Sequence, residues 1–294
     1  ALVGWRTPDP DYPGHGYAYR TQTFDVADGA VAVSDVLHES EPAAVDQVSS
    51  DATAVEAGGR TWIVSGGPDG VLLSPADDPA RVVAVPADPP PTHELRAAAL
   101  SDGRIVVAWS QWIPPAGSGM ASAAATIVDP EGTVVPATEI FPTRPDLYGD
   151  VYLAVLGSDV YVGRYDRDDS SLRESRIRVA RLDESLRRVE PDRWINGWGG
   201  VTPGGMALVA WRGGVWVVFQ TLDARYGTNP ALFAQRLAAD DCGYAVDIPV
   251  DVLPPHWFRK DTLLAAPGDD EIWTMIVYVE DNATANLYRL VPCE

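Results

Sequence analysis

Short runs of hydrophobic residues, each following a tight glycine turn, recur along the chain. The clearest example is Ser101-Asp-Gly-Arg-Ile-Val-Val-Ala-Trp-Ser110, in which positions 105 to 109 are all apolar. A strand with one exposed face alternates apolar and polar residues, so an uninterrupted apolar run predicts a strand that is covered on both faces. No stretch of the sequence shows sustained helical periodicity.

The turn-and-strand unit repeats at spacings of 45 to 56 residues, as the turn glycines show: Gly58, Gly103, Gly157, Gly213 and Gly268. Periods near 40 to 50 residues are typical of propeller blades. Each repeat predicts four short strands, A to D, of which A is rich in small residues and B is the most hydrophobic. The pattern resembles the β-propeller superfamily, in the style of repeats from secreted bacterial propellers. That resemblance implies an all-β fold of four-stranded antiparallel blades.

The repeat predicts a single propeller domain over residues 1–294. Its start supplies strands B, C and D of a partial blade and its end supplies strands A, B and C of another, so six B strands favour six blades. A five-bladed ring, in which the two ends merge into one blade, is the alternative. The predicted blades are 1–36 (partial), about 45–86, 95–140, 150–190 and 204–250, and a last blade at 261–294.

The two cysteines, Cys242 and Cys293, occupy matching corners just beyond the C strands of neighbouring blades. This register predicts a disulfide between them, which is compatible with an oxidising compartment. Two buried free thiols are the alternative. The chain opens on Ala1-Leu-Val-Gly-Trp5 without a charged or strongly apolar start, so we expect that a leader has been removed. Together these features predict an extracytoplasmic protein.

Charge and hydropathy exclude two classes of partner. The formal net charge is −20, which argues against binding nucleic acid through its phosphates. No segment approaches the roughly 20 consecutive apolar residues that a membrane-spanning helix needs. We therefore expect neither a nucleic-acid partner nor a membrane span. We also expect a monomer.

The long connections mark one face of the predicted propeller. In antiparallel order the B–C and D–A connections emerge on the same side, called the top face here, and they are longer than the turns opposite. Long loops on a rigid scaffold concentrate binding residues. Tryptophans there offer flat apolar surface, and arginines beside histidines would form a positive island in an acidic protein. Pairing of Arg96 and Arg259 with Glu94 and Asp261 is the alternative. The predicted ligand-binding set is His93, Arg96, Trp194, Trp198, His256, Trp257 and Arg259.

Catalytic chemistry has only weak candidates in the sequence. No nucleophile elbow, phosphate loop or dinucleotide fingerprint occurs. Equivalent positions at the starts of A strands surround one channel, which makes Asp51, Asp150 and Asp261 the candidate catalytic carboxylates. The loop histidines His38, His93 and His256 are the candidate ligands of a divalent metal, and no other cofactor is expected.

Two functions follow from these observations. The first is an extracytoplasmic binding or scaffold propeller that recognises a glycan or a protein through its top face. The alternative is a hydrolase, glycosidase-like or metal-assisted, that acts in the central channel. Because the sequence carries no catalytic signature, the first function is favoured and enzymatic activity stays open.

Overall fold

The computed structural model is built of β-strands over the residues that it describes. The described residues are 2–8, 16–27, 30–33, 38–39, 43–44, 52–67, 70–78, 80–87, 95–113, 120–129, 132, 134–145, 151–167, 175–195, 206–222, 230–237, 262–267, 272–278 and 284–290. Every regular element within these ranges is a strand. The same ranges contain no helix that is long and apolar enough to span a membrane.

Three sheets have four antiparallel strands that follow one another in chain order. Consecutive strands are hydrogen-bonded neighbours, as in an up-and-down meander. The first sheet comprises β6 (Ala52–Ala57), β7 (Arg60–Gly67), β8 (Gly70–Pro75) and β9 (Val83–Pro86). The second comprises β10 (Leu95–Ala99), β11 (Ile105–Ile113), β12 (Met120–Val128) and β13 (Val134–Pro145). The third comprises β14 (Val151–Leu156), β15 (Asp159–Arg167), β16 (Ser175–Leu182) and β17 (Arg193–Ile195).

Three further sheets repeat the motif with three consecutive strands among the described residues. At the start of the chain, β2 pairs with β1 and with the short strands β3, β4 and β5. These elements are β1 (Leu2–Pro8), β2 (Gly16–Ala27), β3 (Ala30–Val33), β4 (His38–Glu39) and β5 (Ala43–Ala44). The other two sheets are β18 (Met206–Trp211), β19 (Gly214–Leu222) and β20 (Pro230–Leu237), then β21 (Thr262–Pro267), β22 (Ile272–Tyr278) and β23 (Thr284–Leu290).

This topology confirms the predicted fold class. Successive four-stranded antiparallel sheets in chain order are the blades of a β-propeller. Among the described residues, the sheet formed by β1 to β5 has no strand before β1, and the sheet formed by β21 to β23 has no strand after β23.

The two-sided burial predicted for the B strand at residues 105–109 is also confirmed. Ile105, Val106, Val107, Ala108 and Trp109 are all fully buried. The turn before this strand favours glycine because Gly103 has a positive φ of 87°, a backbone conformation that other residues rarely adopt.

The chain divides into two compact units, each with its own hydrophobic core. Unit 1 is Ala1–Val151 with Glu184–Leu186, and unit 2 is Tyr152–Asp183 with Arg187–Glu294. The core of unit 1 is built around Trp62, Trp109 and the aliphatic residues of β6 to β12. The core of unit 2 packs Met206 and Phe219 against apolar residues of β14 to β17.

The fourth strand of the third sheet corrects the sequence prediction. The repeat pattern predicts that strand at residues 186–189, but there Arg188 forms only an isolated antiparallel bridge with Leu182, and the strand is Arg193–Ile195. The amide of Asp183 donates to the carbonyl of Arg187 at 2.9 Å, which closes the turn. Leu186 takes a left-handed conformation with φ 59°, which is incompatible with an extended strand. Trp194 is therefore a strand residue and not a loop residue.

Candidate ligand-binding surface

The described residues include two of the seven predicted ligand-binding positions, Arg96 and Trp194. The other five, His93, Trp198, His256, Trp257 and Arg259, lie outside the described residues. So do Cys242 and Cys293, and the catalytic candidates Asp51, Asp150 and Asp261. Among the metal candidates His93 and His256 are likewise outside, and His38 lies in β4, with its backbone opposite Thr21. The described part of the chain contains no cluster of three or more metal-ligating side chains.

Arg96 lies in the first strand of its sheet. It stands opposite Ala108 of β11, and its Nη1 donates to the carbonyl of Leu95 at 3.2 Å. The guanidinium is half-buried and turned back toward its own strand. Ser110 lies two residues beyond Ala108, and therefore on the same face of the sheet. Its buried Oγ makes no hydrogen bond to the described residues.

Trp194 lies in the fourth strand of a different sheet. Its side chain is 45% exposed, which is unusual for tryptophan among the described residues. It stands opposite Arg178 of β16, and the guanidinium carbon of Arg178 lies 5.2 Å from the centroid of the indole ring. This distance is within the range of a cation–π contact. The indole is thereby backed by a charged side chain and keeps much of its surface in solvent.

A nearly buried carboxylate fixes this arrangement. The side chain of Asp192 is 7% exposed, and its Oδ2 accepts from Nη2 of Arg178 at 2.6 Å and from Nε at 2.7 Å. Its Oδ1 accepts from Nε of Arg188 at 2.8 Å. Charge-assisted bonds of this length are the strong ones. We call Trp194, Arg178, Asp192 and Arg188 the Trp194 platform.

Strand register explains why the platform forms here. Arg164 of β15 stands opposite Arg178, and Arg178 stands opposite Trp194, so the three side chains share one face of the sheet. Exposure rises along this row, from buried Arg164 through mostly buried Arg178 to exposed Trp194. Like charges side by side on a sheet are unfavourable, which gives Asp192 a structural role beside Arg178.

Trp194 is one of the ligand-binding residues that the sequence predicts, whereas Arg178, Asp192 and Arg188 are not. The signal that the sequence offers for them is the local net charge. Residues 151–195 contain nine arginines and nine acidic residues and so carry no net charge, whereas the whole chain carries −20. The rest of the protein therefore holds the entire excess of negative charge, and this sheet is distinct from it.

Two further ion pairs lie on the opposite face of this sheet, the face of Tyr161, as the register of β15, β16 and β17 shows. Nε of Arg193 lies 3.2 Å from Oε1 of Glu190, and Nη2 of Arg181 lies 2.6 Å from Oδ2 of Asp159. The hydrogen bond to Asp159 raises the pKa of Arg181. Burial raises the pKa of Tyr161 above its ordinary value.

Comparisons with known proteins give no family. No model of a protein family matches the sequence, and neither does any curated protein. The sheet topology alone therefore defines the class of protein, which is a β-propeller.

Several solved structures resemble the chain at low identity. One is an acylaminoacyl peptidase of Pyrococcus horikoshii, at 9% identity and a TM-score of 0.49, covering 100% of this chain and 44% of that one. Another is the β-propeller domain of the Trilobed protease from Pyrococcus furiosus, at 10% identity and a TM-score of 0.47. That match covers 98% of this chain and 77% of the other. A third is an α-L-arabinofuranosidase from Lactobacillus brevis, at 9% identity and a TM-score of 0.46. That match covers 84% of this chain and 95% of the other. This chain thus spans less than half of the peptidase, and these likenesses assign no activity to it.

Proposed function

We propose that the protein is an extracytoplasmic β-propeller module that binds a glycan or a protein ligand and does not transform it. In this proposal the Trp194 platform is the recognition surface, and the other predicted ligand-binding residues stay predictions. The disulfide between Cys242 and Cys293 and the monomeric state are parts of the same proposal.

The observation that carries the proposal is the exposed indole of Trp194. Exposing an indole leaves a large apolar surface in water. The ring is also held in place, because Arg178 lies against it and Asp192 fixes Arg178. A flat, fixed aromatic surface is suited to stacking against a sugar ring or inserting into a partner protein.

The test is a binding screen with a matched pair of variants. The wild-type protein is applied to a glycan array and to a panel of extracellular proteins, and hits are measured by calorimetry. Trp194→Ala is expected to weaken binding by about thirtyfold, the loss typical of a tryptophan hot spot. Val189→Ala removes another exposed apolar side chain, from the connection between β16 and β17, and is expected to leave binding unchanged.

Two results would contradict the proposal. Equal losses from Trp194→Ala and Val189→Ala would show that the indole is not a specific contact. Cleavage of the bound glycan, seen as new reducing ends, would replace the binding module with the hydrolase alternative.

A further inference from the structure

We propose that the Trp194 platform binds an uncharged β-1,4-linked glycan, one six-membered ring of which lies flat against the indole. This inference rests on the proposed function. It narrows the ligand from a glycan or a protein to a neutral glycan, and it makes Trp194 the residue that selects the shape of the sugar ring.

The indole of Trp194 has one covered face and one uncovered face. The guanidinium carbon of Arg178 lies 5.2 Å from the ring centroid, over one face. Arg178 is only 17% exposed and its Nη2 lies 2.6 Å from Asp192, so the guanidinium is fixed against the ring. The 45% of Trp194 that is exposed therefore lies on the other face and along the ring edge. A ligand on that face leaves the contact with Arg178 intact and meets a surface that is already held in position.

The exposed area fits a sugar ring better than a protein partner. A tryptophan that is 45% exposed offers about 100 Å² of largely apolar surface. A stable protein interface buries about 800 Å² on each partner around an apolar centre. The described residues expose only two other large hydrophobic side chains, Val82 and Val189. The indole surface is instead close in size to one face of a six-membered sugar ring.

The chemistry of the indole favours an uncharged ring. The face of an aromatic ring is the negative end of its quadrupole, so an anionic group gains nothing by lying on it. Cationic ligands are recognised by several aromatic rings together, and Trp194 is the one exposed aromatic among the described side chains. Neither argument depends on the net charge around the platform.

The flat surface of the indole also favours rings whose faces carry no hydroxyl group. In β-1,4-linked glucose and xylose every ring hydroxyl is equatorial, so both faces present C–H groups and the hydroxyls point outward from the rim. Stacking such a face on Trp194 removes apolar surface from water on both partners. The hydroxyls at the rim stay hydrated, so the contact buries no unpaired polar group.

The experiment uses three uncharged trisaccharides titrated calorimetrically into the full chain. Cellotriose and xylotriose contain flat six-membered rings, whereas arabinotriose consists of five-membered rings. At least one of the first two is expected to bind with a Kd of about 1 mM, the strength of a small ligand held mainly by one ring. Arabinotriose is expected to bind about tenfold more weakly. The affinity is expected to be the same at about 0.05 M and about 0.5 M salt, because no charge is recognised.

Variants of Trp194 separate stacking from simple apolar contact. Trp194→Phe keeps a flat ring and is expected to bind within about threefold of the wild type, whereas Trp194→Leu keeps an apolar side chain without a ring. Trp194→Leu and Trp194→Ala are both expected to weaken binding by about thirtyfold. Val189→Ala is the matched control on an exposed apolar side chain and is expected to change nothing. Circular dichroism checks that each variant is folded.

Each contrary outcome has a distinct meaning. Failure of both cellotriose and xylotriose to bind would overturn this inference, and the wider screen would then decide the proposed function. Binding of Trp194→Leu as tight as that of Trp194→Phe would overturn the stacked ring, and equal binding of arabinotriose would overturn the selection of ring shape. An affinity that falls steeply with salt would overturn the neutral ligand. A protein hit in the wider screen that is lost in Trp194→Ala would overturn the inference and leave the proposed function standing.

Discussion

The carboxylate of Asp192 allows a test of how far burial determines the strength of an ion pair. In Asp192→Asn the side chain keeps its shape and one oxygen acceptor but loses its charge. Arg178 and Arg188 then face a neutral amide in a site where the wild-type carboxylate is 7% exposed. The control is Asp77→Asn, because Asp77 accepts from Arg60 at 2.9 to 3.3 Å but is 65% exposed.

The expected magnitude follows from the number and burial of the bonds. Breaking a buried pair by removing one partner costs about 3–5 kcal/mol. Because Arg188 is partly exposed and Asn still accepts a hydrogen bond, the expected loss for Asp192→Asn is about 2–3 kcal/mol. With a urea dependence of about 2–3 kcal/mol per molar, the midpoint of unfolding falls by about 1 M. Asp77→Asn is expected to leave the midpoint nearly unchanged, since exposed ion pairs contribute little.

The assay is urea unfolding followed by circular dichroism and by tryptophan fluorescence. The platform lies in unit 2, so the transition that reports on that unit is the one expected to move. Equal midpoint shifts in Asp192→Asn and Asp77→Asn would refute the reasoning, because Asp192 is more buried than Asp77 and pairs with two arginines where Asp77 pairs with one. No shift in either variant would refute it as well.

Two other predictions concern the cysteines and a turn. Thiol labelling of the denatured, unreduced protein is expected to find no free thiol, and two labels per chain would contradict the link between Cys242 and Cys293. The backbone N–H and then the guanidinium of Arg104 lower the pKa of Asp102 below its ordinary value of 3.8. Their stabilisation is therefore present above about pH 4 and is lost as the pH falls through the folded-state pKa. The difference in urea midpoint between wild type and Asp102→Asn is expected to shrink in acid, and a constant difference would contradict this.

Most of the fold was predictable because its determinants are local. Glycine turns and uninterrupted apolar strands encode the hairpins, and their spacing encodes the blades. The missed strand in the third sheet shows the limit of this reasoning. Residues 186–189 look extended by composition, but Leu186 is buried and takes a left-handed backbone. A tertiary requirement for burial overrode the local preference there.

The surface around Trp194 was only partly predictable. The sequence predicts Trp194 as a ligand-binding residue, and the structure exposes its side chain to solvent. The contacts that fix it depend on register, since Arg178 meets Trp194 only when β16 and β17 pair as they do. Asp192 gains its role from burial, which sequence patterns do not reveal for an acidic residue beside proline.

Separate cores in the two units have a consequence for cooperativity. In repeat proteins each element contributes its own stability and an interface term with its neighbours, so the chain need not unfold in one step. Trp62 and Trp109 belong to one core and Phe219 to the other. A substitution in one core is therefore expected to lower the stability of its own unit first. A single midpoint measured on the whole chain then reports the less stable core, and the free energy derived from it belongs to that part of the molecule.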